Sequence, residues 1–360
     1  MNSTVAQTEA ITRIATDLQN PRGVAILPDG RLLVAEAGTG LVSDDPAANT
    51  GRLSVFEDEN ADGNYDDAGE RTAVLERLPG YNILYQFNPG RDEVVGIGDV
   101  LTLADGRVFF TLDNHFRTLS VVELRPDFEL VGNLAESTGS LNSIAYDAER
   151  NVIYVAESSL NALTAVTLYG ETSTVVRFDV LASNQQAVPS GVAVDPLTGD
   201  VLVALFSGQL WDYYDSILSF MPGDAKIVRV DPTTGHYTDE ITGLTTAVDV
   251  TVDEAGNIYV VELTTRWPTP MLTHEFDVFD RHGPPDAGGY ARFSGRVTLY
   301  PSDGSAPIIV ADNFDTPTNI TYHAGFLYLS TGMGTPGRPI WGPNGRTLIV
   351  GEVYRIAVGG

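Results

Sequence analysis

The residues Asp58-Glu59-Asn60-Ala61-Asp62-Gly63-Asn64-Tyr65-Asp66-Asp67 place oxygen-bearing side chains at alternate positions and a glycine at the sixth. That spacing wraps a hard cation. Asp58, Asn60 and Asp62 offer side-chain oxygens, Asn64 a backbone carbonyl, and Asp66 or Asp67 with Glu70 the remainder, while Gly63 permits the sharp turn. No helical pattern flanks the segment. It therefore reads as an EF-hand-like Ca2+ loop inside a β protein, in a structural role, or else as an acidic hairpin.

A second set comes from a phrase that recurs along the chain, where Asp99, Asn142, Asp249 and Asn319 occupy nearly equivalent positions. If these positions converge, their carboxylate and amide oxygens either hold a second cation or line a water-filled channel. The run Asp113-Asn114-His115 adds a histidine, a candidate general base or metal ligand. Asp99 and His115 are thus the candidates for activating a water. Acids also close four apolar runs, at Glu36, Asp113, Glu157 and Glu262, and this recurrence points to a repeated bond to neighbouring backbone.

Aromatic residues gather in the segments between these runs, notably Trp211, Tyr213, Trp267, Tyr290 and Trp341, as packing for a cap or lining for a ligand pocket. Arg266, Arg281, Arg292 and Arg338 lie in the same segments and can fix an anionic group.

The elements that must position these residues are set by the recurring phrase, an apolar run, a tight turn and a second run ending in an acid. Copies begin at Pro21, Ile97, Leu141, Pro189, Ala247 and Pro317. Period-two alternation and Gly/Asp/Pro turns favour strands, and a repeat of this length favours the four-stranded blades of a propeller. The expectation is an all-β, six-bladed β-propeller in one domain over 1–360, with blades near 17–78, 97–137, 140–183, 188–244, 246–314 and 317–358. The sixth copy has three strands, and residues 11–16 form a run without a partner. Pairing the two closes the ring and hides two open edges.

The turns between first and second strands are short. The long insertions, 37–50, 206–225, 264–295 and 332–351, fall between second and third strands, and 79–96 falls between blades. In an up-and-down blade these connections share one face, which becomes the decorated, aromatic face; the Asp58–Asp67 loop belongs to the other.

With 48 acids against 21 bases, a net charge of −27 and Lys226 as its sole lysine, the chain repels phosphate, so nucleic acid is not an expected partner. No apolar stretch reaches the ~20 residues of a membrane span. The chain has no cysteine, which excludes disulfides and thiolate chemistry. Phosphate loops, nucleophile elbows and His-Glu-x-x-His motifs are absent from the sequence.

Pro189-Ser190-Gly191-Val192-Ala193-Val194-Asp195 and Asn257-Ile258-Tyr259-Val260-Val261-Glu262 resemble the NHL-type propeller repeat. The order of Asn20-Pro21-Arg22-Gly23, the acidic loop and Gly96-Ile97-Gly98-Asp99 resembles a bacterial family named after the scytonemin-biosynthesis propeller proteins. That resemblance implies an exported protein, extracellular or periplasmic. More distantly the chain is similar to gluconolactonase and arylesterase-type propellers, which implies an axial calcium. Asn142, Asp99 and Asp249 are the nearest counterparts of its ligands, with Arg22 where a first-blade glutamate stands in those hydrolases. Two functions follow: a calcium-stabilised propeller binding a small molecule or protein on its decorated face, or a calcium-dependent lactonase or esterase.

Overall fold

The alternation read in the sequence becomes six antiparallel sheets of four strands each. The computed structural model describes residues 11–41, 43, 45–82, 92–114, 118–137, 139–208, 220–266 and 290–358. The first blade runs Pro21–Ile26, Leu32–Glu36, Gly51–Phe56 and Arg71–Leu78. The innermost strands of the next five are Ile97–Thr102, Leu141–Asp147, Pro189–Val194, Ala247–Val252 and Asn319–His323.

Why the blades form a ring follows from the two-residue period, which sends successive side chains to opposite faces of a sheet. Leu33 and Ala35 join a buried cluster with Ile97, Val100 and Phe110 of the second blade. Their neighbours Leu32 and Val34 point the other way, into a cluster with Tyr328 and Val353 of the last blade. Six such clusters occur, each built on two adjacent blades, with Val188, Phe206 and Phe220 of the fourth blade joining the cluster between the fifth and sixth. The core is therefore a set of six seams, and a blade buries both faces only when the ring is complete.

Closure occurs where the unpartnered run predicts it. Ile11–Leu18 pairs antiparallel with Gly351–Ala357, Ile11 opposite Ile356 and Arg13 opposite Tyr354, as the outer strand of the blade Asn319–His323, Phe326–Thr331 and Gly351–Ala357. The strand extends two residues past the expected 16, because Ala15 and Leu18 are buried beside Ile14 in the seam between last and first blades. Two short hairpins, Tyr81–Asn82 with Val94–Val95 and Pro339–Gly342 with Gly345–Leu348, arise within the insertions. Among the described residues no helix is long and apolar enough to cross a membrane.

Candidate functional site

Five of the six inner strands carry a register shift near the axis: between Pro21 and Val24, Ile97 and Val100, Leu141 and Ile144, Pro189 and Gly191, and Ala247 and Asp249. An extra residue in one strand bends it and re-aims its side chains. Glycines let the bent strands approach. A Cβ on Gly23 would lie 2.4 Å from the Val100 nitrogen, and one on Gly191 would lie 2.5 Å from the Cα of Asp249.

The polar residues so aimed form one hydrogen-bonded plug. The Asn319 amide nitrogen donates to Asp249 Oδ2 at 2.8 Å and to Asp99 Oδ1 at 3.2 Å, while its oxygen accepts from the Val24 nitrogen at 3.0 Å. Asp99 Oδ2 accepts from Ser143 Oγ at 2.7 Å and the Ile144 nitrogen at 3.0 Å, and Ser143 Oγ accepts from the Val192 nitrogen at 3.3 Å. All six inner strands are joined in this way.

Burial pushes the Asp99 carboxyl up to about 6, although Ser143, the Ile144 and Val100 amides and Arg22 oppose the rise. Asp249 is raised well above the usual carboxylate range, first by burial and then by the Asp99 charge beside it.

The plug divides the channel. On the plain face a cavity of about 290 Å3 is lined by Asp99, Ser143, Asp249 and Asn319 with the ends of the inner strands. On the decorated face a smaller one, about 90 Å3, is bounded by Arg22, Glu93, Asn142, Asp249, Tyr290 and Asn319. Arg22 is 8% exposed, and among the described residues its guanidinium makes one hydrogen bond, from Nη1 to Met333 Sδ at 3.0 Å. Burial pulls its guanidinium down, against the charges of Glu93, Tyr290, Asp99 and Asp249. No carboxylate among the described residues pairs with it, so a desolvated cation faces this cavity. Glu93 accepts from the Tyr290 hydroxyl at 3.2 Å.

The axial donors do not suit calcium, which takes roughly six to eight oxygens. Asp99 Oδ1 accepts from the Val100 nitrogen and Asn319, and its Oδ2 from Ser143 and Ile144. The Asn319 oxygen is engaged by Val24. The Asn142 amide nitrogen donates to Ser158 Oγ. Asp249 Oδ1 is buried without a hydrogen bond, but it lies 2.5 Å from where a Cβ on Gly191 would stand, and Arg22 brings a fixed positive charge into the same cavity. Among the described residues no group of three or more His, Cys, Asp or Glu is placed to hold a metal.

In the blade-one loop, Asp58 accepts from the Asp62 and Gly63 nitrogens, Asn60 from Asp62, Asp62 from Asn64, and Asn64 from Asp66. Glu70 is 3% exposed and accepts from the Glu59 and Asp67 nitrogens. The loop abuts the closing strand: the Tyr65 nitrogen donates to the Ile14 carbonyl at 2.7 Å, and Arg13 lies 3.8 Å from Asp66.

Of the aromatic set, Tyr290 is 1% exposed and lines the upper cavity, stacked on Phe220 with ring centroids 6.0 Å apart. Trp341 stands 52% exposed on its hairpin. Trp211, Tyr213, Trp267, His115 and Arg281 lie outside the described residues. Arg292 and Arg338, read from sequence as anion binders, are spent in buried ion pairs with Asp315 at 2.5 Å and Asp92 at 3.3 Å. Desolvated arginines are held by carboxylates because an unpaired buried charge is costly.

The sequence reading missed Glu93, which belongs to no repeat. It was findable only as an acid next to Asp92 in the one insertion between blades. Arg22 carried a signal, as the one base among Asp, Asn, Ser and Thr at the inner-strand positions.

Residues 2–248 match the SMP-30/gluconolactonase/LRE-like region. A gluconolactonase from Xanthomonas campestris superposes with a TM-score of 0.56 at 12% identity, covering 98% of this chain and 90% of that one. A luciferin-regenerating enzyme gives 0.54 at 11%, covering 98% and 96%, and a PQQ-bound aldose sugar dehydrogenase from Streptomyces coelicolor 0.52 at 12%, covering 96% and 98%. At these identities the superpositions establish the fold alone. No match was found among curated proteins. The matched family is the gluconolactonase-type one, not the scytonemin-associated NHL family of the sequence resemblance.

Proposed function

This chain belongs to the SMP-30/gluconolactonase/LRE-like family, and we propose that it hydrolyses a lactone or a related ester in the axial cavity of its decorated face. The observation that carries this reading is Arg22, a buried guanidinium that no described carboxylate pairs with, lining the same small cavity as the Glu93 carboxylate. A carbonyl oxygen seated against Arg22 is polarised, and the oxyanion formed on attack gains most where water is excluded. Glu93, oriented by the Tyr290 hydroxyl, takes a proton from the attacking water as the new C–O bond forms. It returns the proton to the alkoxide when the ester C–O bond breaks. The products are the hydroxy acid of a lactone, or the acid and alcohol of a linear ester. No step runs through a metal, since the axial donors do not suit one.

The test is hydrolysis of five- and six-membered lactones and aryl esters by the purified protein, with Arg22→Met and Glu93→Gln alongside. Each substitution is expected to lower kcat/KM by on the order of 10²-fold or more. A wild-type protein no faster than buffer, or variants that keep the wild-type rate, would overturn the proposal.

We also propose that the blade-one loop takes a structural Ca2+. Support comes from the alternate oxygen-bearing residues Asp58, Asn60, Asp62 and Asn64 about Gly63 on one tight loop; their oxygens now accept from the Asp62, Gly63, Asn64 and Asp66 nitrogens, and binding an ion would gather them around it. Contact with Ile14 ties such an ion to ring closure.

A further inference from the structure

The four acids that close second strands share a place in their blades but not their surroundings. Glu36 faces Arg52 across the sheet, accepts from Arg52 Nε at 2.9 Å and also binds Arg71 and the Gln19 nitrogen. Glu262 faces Arg296, accepts from its Nε at 2.6 Å and binds the Thr245 nitrogen. Asp113 takes the Tyr81 hydroxyl at 2.9 Å and Ser140 Oγ at 3.3 Å. Glu157 differs. Its cross-strand partner is Ala162, and among the described residues it makes no hydrogen bond and no ion pair although it is only 5% exposed.

Opposite Glu157, where blades one and five carry Arg52 and Arg296, the strand carries only Ala162. A cavity of about 550 Å3 opens between the second and third blades, lined by Glu157, Glu136, Thr164, Ser137 and Thr174 with apolar residues such as Val121, and no basic side chain among the described residues lines it. Arg177, opposite Ala162 on the outer strand, donates instead to the Leu160 carbonyl and stays exposed. A carboxylate without a partner at the wall of a cavity selects for a cation, and a planar fork of N–H donors matches its two oxygens.

We propose that this interblade cavity is a binding site for a small alkylguanidine, whose guanidinium pairs with Glu157 as Arg52 and Arg296 pair with their glutamates. Thr164, Ser137 and Thr174 offer hydroxyl oxygens to the N–H groups left over, and the apolar wall takes the alkyl stem. The site is independent of the axial cavity and of any activity there.

Ethylguanidinium chloride is the probe, titrated calorimetrically into the whole protein at constant ionic strength, with ethylurea as the neutral isostere. Saturable binding at millimolar concentration or below is expected for ethylguanidinium and not for ethylurea. Glu157→Gln should weaken it at least tenfold. Ala162→Arg should abolish it by supplying the guanidinium from within, and should raise the melting temperature. Absence of saturable binding to the wild type, equal binding of ethylurea, or undiminished binding to Glu157→Gln or Ala162→Arg would each overturn the proposal.

Discussion

Asn319 and Asp249 meet on the propeller axis at 2.8 Å, the amide nitrogen of the one donating to Oδ2 of the other, 70 residues apart in sequence. Through the second donor of Asn319 the bond continues to Asp99, so two carboxylates from blades two and five share one amide. The plug is at once the staple of the inner strands and a store of unfavourable negative charge.

That charge sets a pH dependence. Asp99, raised to about 6, and Asp249, raised well above the usual carboxylate range, bind protons in the folded state at pH values where the unfolded chain has released them. A raised carboxyl makes its full contribution below the unfolded value near 4, and stability is then lost as pH climbs through the folded value. Urea unfolding should therefore show the pair favouring the fold at pH 5 over pH 7.5. Asp249→Asn, which keeps an acceptor for the Ile320 nitrogen, should flatten that slope; an unchanged slope would rule out the pair as its source.

Gly191→Ala is expected to destabilise by about 3 kcal/mol or more, since its Cβ would fall 2.5 Å from both the Cα and Oδ1 of Asp249. Backbone cannot yield there without breaking the plug. Denaturant midpoints of this variant and of Gly30→Ala, where a Cβ meets nothing within 4 Å but φ is +91°, separate crowding from backbone strain. The first should lose clearly more.

Calcium should raise the melting temperature and chelation should lower it. At roughly a hundredfold excess over Kd, an ion bound only to the folded state contributes about 2.7 kcal/mol. Replacing Asp58 and Asp62 together by Ala should remove the response. A melting curve indifferent to calcium in the wild type would contradict the loop site.

Asp92→Asn should cost about 3–5 kcal/mol, because it strips the carboxylate from Arg338 where both side chains are 0% exposed. The pair joins the insertion between blades one and two to the last blade's hairpin segment. Asp92 also accepts from Asn82, from the Thr335 nitrogen and from its hydroxyl. Loss should appear as lowered thermal stability and as faster proteolysis of the 79–96 segment, measured side by side.

What the sequence determined by itself is the ring: alternation at period two prescribes strands buried on both faces, and six copies of one phrase prescribe six seams. It also determined the closure, since a three-strand copy and a lone run such as Ile11-Thr12-Arg13-Ile14 leave complementary edges. The candidate site was legible only in part. Asp99, Asn142, Asp249 and Asn319 were marked by their repeat positions, but whether their oxygens are open to an ion depends on which amides reach them across neighbouring blades, and no local spacing encodes that. Only the tertiary structure decided that Val24, Ile144 and Ile320 supply those amides. It alone decided that no described carboxylate pairs with Arg22 beside Glu93 while Arg292 and Arg338 are neutralised, and that Glu157 faces an alanine where Glu36 and Glu262 face arginines. Pairing across seams is long-range, and a charge's partner is set by the fold around it rather than by its neighbours in the chain.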